Sequence, residues 1–209
     1  MIKFRKLESD TDLLYFAKRY KIRSRGGIIS LAYLKSSHVY ALENNNSEIL
    51  GGFILNNSSE KRLLSYIPKT EKENVSELNL DSKEVMEITC IWIEKGTFSS
   101  HFQRLQFYYN IIRESASYKE AKYCIGGSQD PKLMHIQMSG FEKVVWEGMA
   151  TTQKSSHYQW IYISRQRPLV KRVVVGAVRI SNYFISRNAR QLKLGLMSAF
   201  RRSLQLKGQ

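Results

Sequence analysis

Residues 87–101 read EITCIWIEKGTFSSH, an apolar run that predicts a buried strand and then a polar turn with one glycine. The following segment, 102–115, repeats apolar residues at helical spacing. A helix that starts after such a turn has free backbone N–H groups, which can hold a phosphorylated carrier. Glu87, at the head of the strand, is a carboxylate that could deprotonate an amine beside that carrier. The stretch therefore suggests acyl transfer.

The composition predicts one domain with an appendage. The chain has 209 residues, of which 43% are apolar, enough to bury a core. No apolar run is long enough to span a bilayer, and the N-terminal residues MIKFRKLESD lack the apolar segment of a secretion signal. We therefore expect a cytoplasmic protein in which Cys90 and Cys124 are reduced and buried. The four histidines have no ligand spacing, so no metal site is expected.

The positive charge is concentrated at the end of the chain. The net charge is +15, and residues 165–209 contribute 11 Lys or Arg and no acidic residue, which leaves +4 for residues 1–164. We divide the chain accordingly into a body, 1–164, and a basic amphipathic helical extension, 165–209. The extension suits an acidic carrier protein or peripheral contact with the anionic inner membrane face, and suits nucleic acid less well.

The body mixes strand and helix patterns, which predicts an α/β fold. Helices are predicted at 12–20, 28–33, 101–117 and 130–139. Strands are predicted at 2–7, 38–43, 49–56, 87–93, 122–126, 141–148 and 157–164, with one more near 63–67 inside a polar loop. Gly51 and Gly52, inside the third of these segments in chain order, indicate a bulge or a close backbone approach.

The order of elements over residues 1–164 resembles the GNAT superfamily of N-acyltransferases. Four segments carry the resemblance: IKFRKLESD at 2–10, HVYALENNNSEILGGFILN at 38–56, EITCIWI at 87–93, and Gly140-Phe141 after the last helix. The resemblance implies a largely antiparallel central sheet flanked by helices. It also implies a thioester co-substrate, acyl-CoA or the phosphopantetheine of acyl carrier protein, with no tightly bound cofactor.

Two departures from the GNAT pattern lie in the donor region. The turn KGTFSSH at 95–101 keeps one glycine where the family usually has two, and Ile136 stands where a tyrosine is common. Similar departures occur in the branches that use acyl carrier protein, the autoinducer synthases and N-acyl amino acid synthases. Glu87-Ile88-Thr89 matches the start of their fourth strand, and Cys90 replaces the arginine that commonly follows.

The chemistry of amide formation assigns roles to these residues. Glu87 is the candidate base, and Tyr108, its neighbour Tyr109 and His135 are candidate acids for the departing thiolate. The strand after Glu87 should diverge from its neighbour, freeing backbone N–H groups for the oxyanion and the pantetheine. The predicted donor cradle comprises Ile91, Trp92, Ile93, Lys95, Gly96, Thr97, Ser99, Ser100 and Gly126. The acceptor amine stays open between a small molecule, an amino acid, a peptide and a protein lysine.

A second interpretation comes from another class. A GNAT-like body without catalysis could serve as a nucleic-acid- or membrane-binding module, because Tyr183, Phe184 and Phe200 lie among the cations of the extension. A salt titration of binding separates the two, since phosphate contacts give a steep salt dependence.

Overall fold

One seven-stranded sheet forms the centre of the computed structural model, which describes residues 3–24, 27–73, 75, 80–98, 100–138, 140–151, 156–169 and 171–172. The strands are β1 (Lys3–Leu7), β2 (His38–Glu43), β3 (Ile49–Asn56), β4 (Val85–Ile93), β5 (Tyr123–Ser128), β6 (Lys143–Thr151) and β7 (Ser156–Arg165). The helices are α1 (Asp10–Arg23), α2 (Leu31–Lys35), α3 (Lys69–Lys72), α4 (His101–Ser117) and α5 (Pro131–Met138), with 3₁₀ turns at Leu63–Tyr66 and Ser82–Glu84.

The strand order is β1-β2-β3-β4-β5-β7-β6, and only β4 and β5 run parallel. The other neighbouring strands pair antiparallel. The predicted mixed, largely antiparallel sheet with flanking helices is therefore confirmed. The sheet consists of two antiparallel parts, β1–β4 and β5–β7–β6, which meet along the β4–β5 edge.

Serine side chains start three of the helices. The Ser9, Ser30 and Ser100 hydroxyls accept hydrogen bonds from the backbone N–H three residues later, at 3.1, 3.1 and 3.3 Å. Such a cap satisfies one of the N–H groups that a helix start leaves unpaired. The caps explain why α4 begins where the sequence predicts it.

The two faces of the sheet carry different helices. On one face, which we call the α1 face, α1 and α2 cover a cluster that includes Phe16, Tyr33, Cys90 and Trp92. The other, the α4 face, buries a cluster around α4 that includes Met86, Ile88, Phe107 and Ile111. Because side chains alternate along β4, Glu87 points to the α1 face between Met86 and Ile88.

The segment 63–67 is not the strand that the sequence predicted. Residues Leu63–Tyr66 form a 3₁₀ turn, in which the Ser65 and Ile67 N–H groups donate to the Arg62 and Leu64 carbonyls. The apolar residues 63, 64 and 67 suit a short strand equally well. The turn is stabilised instead by long-range hydrogen bonds at its N-terminus, which no local pattern reveals.

The first residues after β7 pack against the body. Gln166 donates from its side chain to the Ser115 and Tyr118 carbonyls at 2.6 and 3.1 Å, and Leu169 is buried in the α4-face cluster. Arg172 pairs with Glu142 at 3.3 Å. The remainder of the basic extension lies outside the described residues, so the division at residue 165 stays a prediction. Among the helices that the structure describes, none has the length and apolarity to cross a membrane.

Candidate active site

The β4–β5 ladder ends at Glu87. Only three pairs join the two strands, Val85 with Tyr123, Met86 with Cys124 and Glu87 with Ile125. Beyond this point β4 continues to Ile93 with β3 as its partner, and β5 continues to Ser128 with β7 as its partner. The divergence that the sequence predicted is therefore present, and it leaves backbone groups of both strands without a ladder partner.

A bulge in β4 lies just beyond the divergence. Gly52 pairs with Trp92 and Ile54 with Thr89, so two residues of β4 stand opposite Phe53 alone. One of the two is Cys90, whose φ of 53° is in the left-handed region. A bulge bends its strand and increases its twist, which turns the second half of β4 away from β5.

Gly52 is required on the strand opposite the bulge. A Cβ on this residue would lie 2.2 Å from the Tyr40 carbonyl oxygen and 2.6 Å from a ring carbon of Phe16. Of the two alternatives predicted from Gly51-Gly52, the close approach is therefore confirmed, and this bulge lies in the opposite strand, β4.

Glu87 is fully buried, and four donors hold its carboxylate. The Tyr33 hydroxyl, the Asn56 side-chain amide and the Arg62 N–H donate to Oε2 at 2.5, 3.3 and 3.1 Å. The Leu63 N–H donates to Oε1 at 2.5 Å. The two backbone donors belong to the start of the 3₁₀ turn Leu63–Tyr66, which is therefore fastened directly to the end of the β4–β5 ladder.

A proton can reach this buried carboxylate through only one of these four donors. Amide N–H groups do not exchange protons with a substrate at neutral pH, whereas a hydroxyl can release its proton while accepting another. Burial, and then the neighbouring Glu87 carboxylate, raise the pKa of Tyr33 above its ordinary value, so the hydroxyl stays protonated. We call the hydrogen-bonded pair Tyr33 and Glu87 the relay.

Two cations flank the relay. Lys61 is buried and donates from Nζ to the Ser58 carbonyl, and burial lowers its pKa to about 8 although the Glu87 carboxylate opposes this. Arg62 donates from Nη1 to Cys90 Sγ at 3.0 Å, and its guanidinium lies 5.6 Å from the centre of the Tyr20 ring.

The two cysteines are buried thiols, as expected from the sequence. Burial raises the pKa of Cys90, against the opposing effect of Arg62, and burial raises that of Cys124 to about 12. A thiol that remains protonated at neutral pH is a poor nucleophile. Cys90 therefore acts as a neutral acceptor for the Arg62 guanidinium.

The predicted donor cradle follows the open half of β4. The Thr97 N–H donates to the Glu94 carbonyl at 3.2 Å in a turn where Lys95 is exposed and Gly96 has a φ of 84°. Ser100 then caps α4, whose first turn contains no acidic residue. The turn thus presents an unneutralised helix N-terminus, which favours an anion. Ser99 lies outside the described residues.

Helix α1 supports the start of this turn. Glu94 forms ion pairs with Arg19 at 2.6 Å and with Arg23. The residue that ends β4 is therefore anchored by the last turns of α1, and the turn begins from a defined position.

Gly126 and the backbone of Ile91, Trp92 and Ile93 lie on the diverging strands as expected. A Cβ on Gly126 would lie 2.8 Å from the Phe141 ring, so packing of the Gly140-Phe141 pair already requires a glycine here. Its proposed role beside the pantetheine would be a second reason for a glycine at this position. No contact in the structure tests that role.

The candidate acids belong to helices α4 and α5, whereas Glu87 belongs to β4. Tyr108 belongs to α4 and packs on the α4 face beside Phe107, whereas Glu87 points to the α1 face. Burial raises the pKa of Tyr108, which keeps its hydroxyl protonated at neutral pH. Tyr109 is exposed. His135 lies on α5, and its side chain is outside the described part of the chain.

Five residues that contact or flank Glu87 were not predicted, namely Tyr33, Asn56, Lys61, Arg62 and Leu63. They come from α2, the end of β3 and the loop after it, up to 54 residues away in sequence. Their spacing carries no motif. Among the described residues, no group of three or more His, Cys, Asp or Glu could hold a metal ion.

Solved structures share this fold. FeeM, an N-acyl amino acid synthase from uncultured soil microbes, superposes with a TM-score of 0.60 at 11% identity, over 84% of this chain and 97% of FeeM. MesI, a CoA-dependent acyl-homoserine lactone synthase, gives 0.51 at 11% identity, over 82% and 93%. A putative acetyltransferase from Acinetobacter baylyi ADP1 gives 0.51 at 11%, over 79% and 93%.

No protein-family model matches the sequence, and no curated protein is similar to it. At identities this low the structural similarity shows the fold, which is that of the GNAT acyltransferases.

Proposed function

We propose that this GNAT-fold chain is an N-acyltransferase that moves an acyl group from a carrier thioester to an amine. In the GNAT branches that use acyl carrier protein, the acyl group is a fatty acyl group. One observation carries the proposal: β4 separates from β5 at Glu87, and the opened strand leads into the N-terminus of α4. A thioester arm in the gap can pair with the free backbone groups. Its phosphates can then reach the start of α4, since helix N-termini favour anions.

The proposed reaction forms a C–N bond and breaks a C–S bond. The amine attacks the thioester carbon, and the carbonyl oxygen becomes an oxyanion that accepts a hydrogen bond from a backbone N–H in the open half of β4, Ile91–Ile93. The amine passes a proton to the Tyr33 oxygen as the Tyr33 proton moves to Glu87, so the tyrosine ends neutral. The departing thiolate takes a proton from Tyr108 or His135.

The relay gives Glu87 the role of base without direct contact with the amine. Its carboxylate is fully buried, and Tyr33 is the one donor on it that can exchange protons. The proposed oxyanion donors, Ile91–Ile93, and the base Glu87 lie on the same strand, β4, which suits a reaction that needs both at the same carbon.

The donor is proposed to be acyl-CoA or acyl carrier protein. The exposed Lys95 and the acid-free first turn of α4 would meet phosphate in either case. The basic extension, 165–209, would bind an acidic carrier protein or rest on the anionic face of the inner membrane, in a cytoplasmic enzyme. The interpretation as a nucleic-acid- or membrane-binding module without catalysis concerns that same extension, and no contact among the described residues favours it.

Release of free thiol tests the proposal directly. The full chain is incubated with acetyl-CoA, long-chain acyl-CoA or acyl carrier protein loaded with the same chains, with and without a panel of amines. We expect thiol release that depends on an amine, and a product heavier than the amine by the acyl group in mass spectra. Absence of amine-dependent release with every donor would contradict the proposal.

A further inference from the structure

Arg62 is a largely enclosed guanidinium with no carboxylate partner among the described residues. Its described contacts are all neutral: the Cys90 thiol at 3.0 Å, the face of the Tyr20 ring at 5.6 Å and a side-chain hydrogen bond with Tyr66. A guanidinium has five N–H donors and is always charged, so these contacts satisfy a small part of its capacity. A cation removed from water without a counter-ion is costly unless an anion arrives to pair with it.

A buried donor without an acceptor lies on the same face of β4. Among the described residues, the Trp92 indole Nε1 is buried and has no hydrogen-bond partner. Trp92 and Cys90 belong to one side-chain cluster on the α1 face, and the Arg62 guanidinium contacts Cys90. The α1 face beyond the bulge is therefore rich in hydrogen-bond donors and poor in acceptors.

The position of Arg62 relative to the relay sets the distance between the two groups of a ligand that contacts both. Its backbone N–H holds Glu87, and its side chain reaches Cys90, three residues further along β4. Three residues of a regular strand span about 10 Å, and the bulge at Cys90 shortens this distance. An amine and a carboxylate on one carbon atom, each with a hydrogen bond to the protein, span roughly 9 Å. An amine directed at the relay can thus carry an anionic group that reaches Arg62.

We propose that Arg62 binds the carboxylate of the acceptor, and that the acceptor is a free amino acid or a close analogue. The inference rests on the proposed transferase function and selects among its acceptors. A protein lysine has no carboxylate near its amine, and neither has the N-terminus of a peptide. Arg62 therefore acts as a specificity residue, and a guanidinium suits it because its paired N–H groups match both oxygens of a carboxylate.

The acceptor panel that tests this consists of matched sets. Each set holds one standard amino acid, its C-terminal amide and the amine left after removal of the carboxyl group. Turnover is measured with the best acyl donor, and binding to the full chain is measured separately by calorimetry. We expect at least one amino acid to be used with a KM about tenfold or more below that of its amide.

The variants are Arg62→Gln, Arg62→Lys and the control Arg113→Gln, which removes an exposed cation near the end of α4. In Arg62→Gln the KM and the Kd for the amino acid should rise about ten- to hundredfold, while values for the amide and the acyl donor stay unchanged. Arg62→Lys should restore part of the preference because it keeps the charge. Thermal melts identify any variant that fails to fold, and the amide comparison in the wild-type chain needs no variant.

Two results would overturn the inference: equal use and binding of amino acids and their amides by the wild-type chain, or an unchanged preference in folded Arg62→Gln. Failure of the transferase proposal looks different. In that case no donor supports amine-dependent turnover, yet calorimetry still detects Arg62-dependent binding of amino acids.

Discussion

The two halves of β4 differ in how completely their polar groups are paired. Val85–Glu87 pairs with β5, Glu87 also has Asn56 of β3 as a ladder partner, and the Glu87 carboxylate accepts four hydrogen bonds. In Ile88–Ile93 the strand pairs only with β3, a bulge interrupts the register, and the buried Trp92 indole has no described acceptor. We call Val85–Glu87 the closed half, which fixes the position of the Glu87 carboxylate. The open half, Ile88–Ile93, leaves unpaired hydrogen-bonding groups for a ligand.

The contrast explains why the relay and the donor gap adjoin each other. A buried carboxylate needs every hydrogen bond that the protein can supply, because a missing partner costs the full desolvation penalty. A site for an extended ligand needs unpaired backbone, which a complete ladder would remove. One strand meets both needs because its ladder with β5 ends at Glu87, and the bulge at Cys90 then bends the rest of the strand.

Glu87→Gln tests the closed half of β4 and should lower turnover more than any of the other variants. Turnover should fall about 10²-fold or more because the relay loses its base. The free energy of unfolding should fall by about 1–3 kcal/mol, since the new amide N–H₂ would face backbone donors. Steady-state kinetics and urea unfolding measure the two effects, with Glu84→Gln, which removes a half-exposed ion pair with Lys122, as the control. Unchanged turnover in a folded variant would remove Glu87 from the mechanism.

Tyr33→Phe tests proton transfer through the relay with little change in the stability of the fold. The change deletes one hydroxyl and leaves the other three donors on Glu87 in place. We expect turnover to fall about ten- to hundredfold, with a stability loss of about 0.5–1.5 kcal/mol. Tyr15→Phe, which removes an exposed tyrosine hydroxyl on α1, is the control. If both variants turn over like the wild-type chain, the proton does not pass through Tyr33.

Gly52→Ala tests the strand opposite the bulge. The added Cβ would meet the Tyr40 carbonyl oxygen at 2.2 Å, and a backbone atom has little freedom to move away. We expect a loss of about 1–3 kcal/mol in a thermal or urea melt. Gly96→Ala is the matched comparison: its Cβ would meet nothing within 4 Å, so only the positive φ opposes it, at about 1 kcal/mol. A smaller loss at Gly52 than at Gly96 would contradict this account.

The pH dependence of stability reports the environment of Lys61. Burial lowers its pKa from 10.5 to about 8. Between these values the unfolded chain keeps a proton that the folded chain has released, so this lysine makes stability rise with pH through that window. The gain is at most about 1.4 kcal/mol per pH unit. Urea unfolding of wild-type and Lys61→Met chains from pH 7 to 10 measures it, and parallel curves would show that Lys61 titrates normally.

The sequence was sufficient for the elements that local chemistry controls. The bounds of β2, β3 and α4 match the predicted ones, because alternating apolar residues, the Asn-rich turn at 44–47 and the Ser100 cap act over a few residues. The point of divergence was also predictable, since Glu87 heads an apolar run that ends in a glycine turn and a helix start.

Tertiary structure alone decided how the candidate site is built. The 3₁₀ turn at Leu63–Tyr66 replaces the predicted strand because its first N–H groups bind Glu87, 24 and 25 residues further along the chain. Tyr33 reaches the same carboxylate from 54 residues away, and Arg62 meets Cys90 across the loop. Local patterns act through backbone geometry over one or two turns. The partners of a buried charge are chosen by whichever distant donors the packed core brings within about 3 Å.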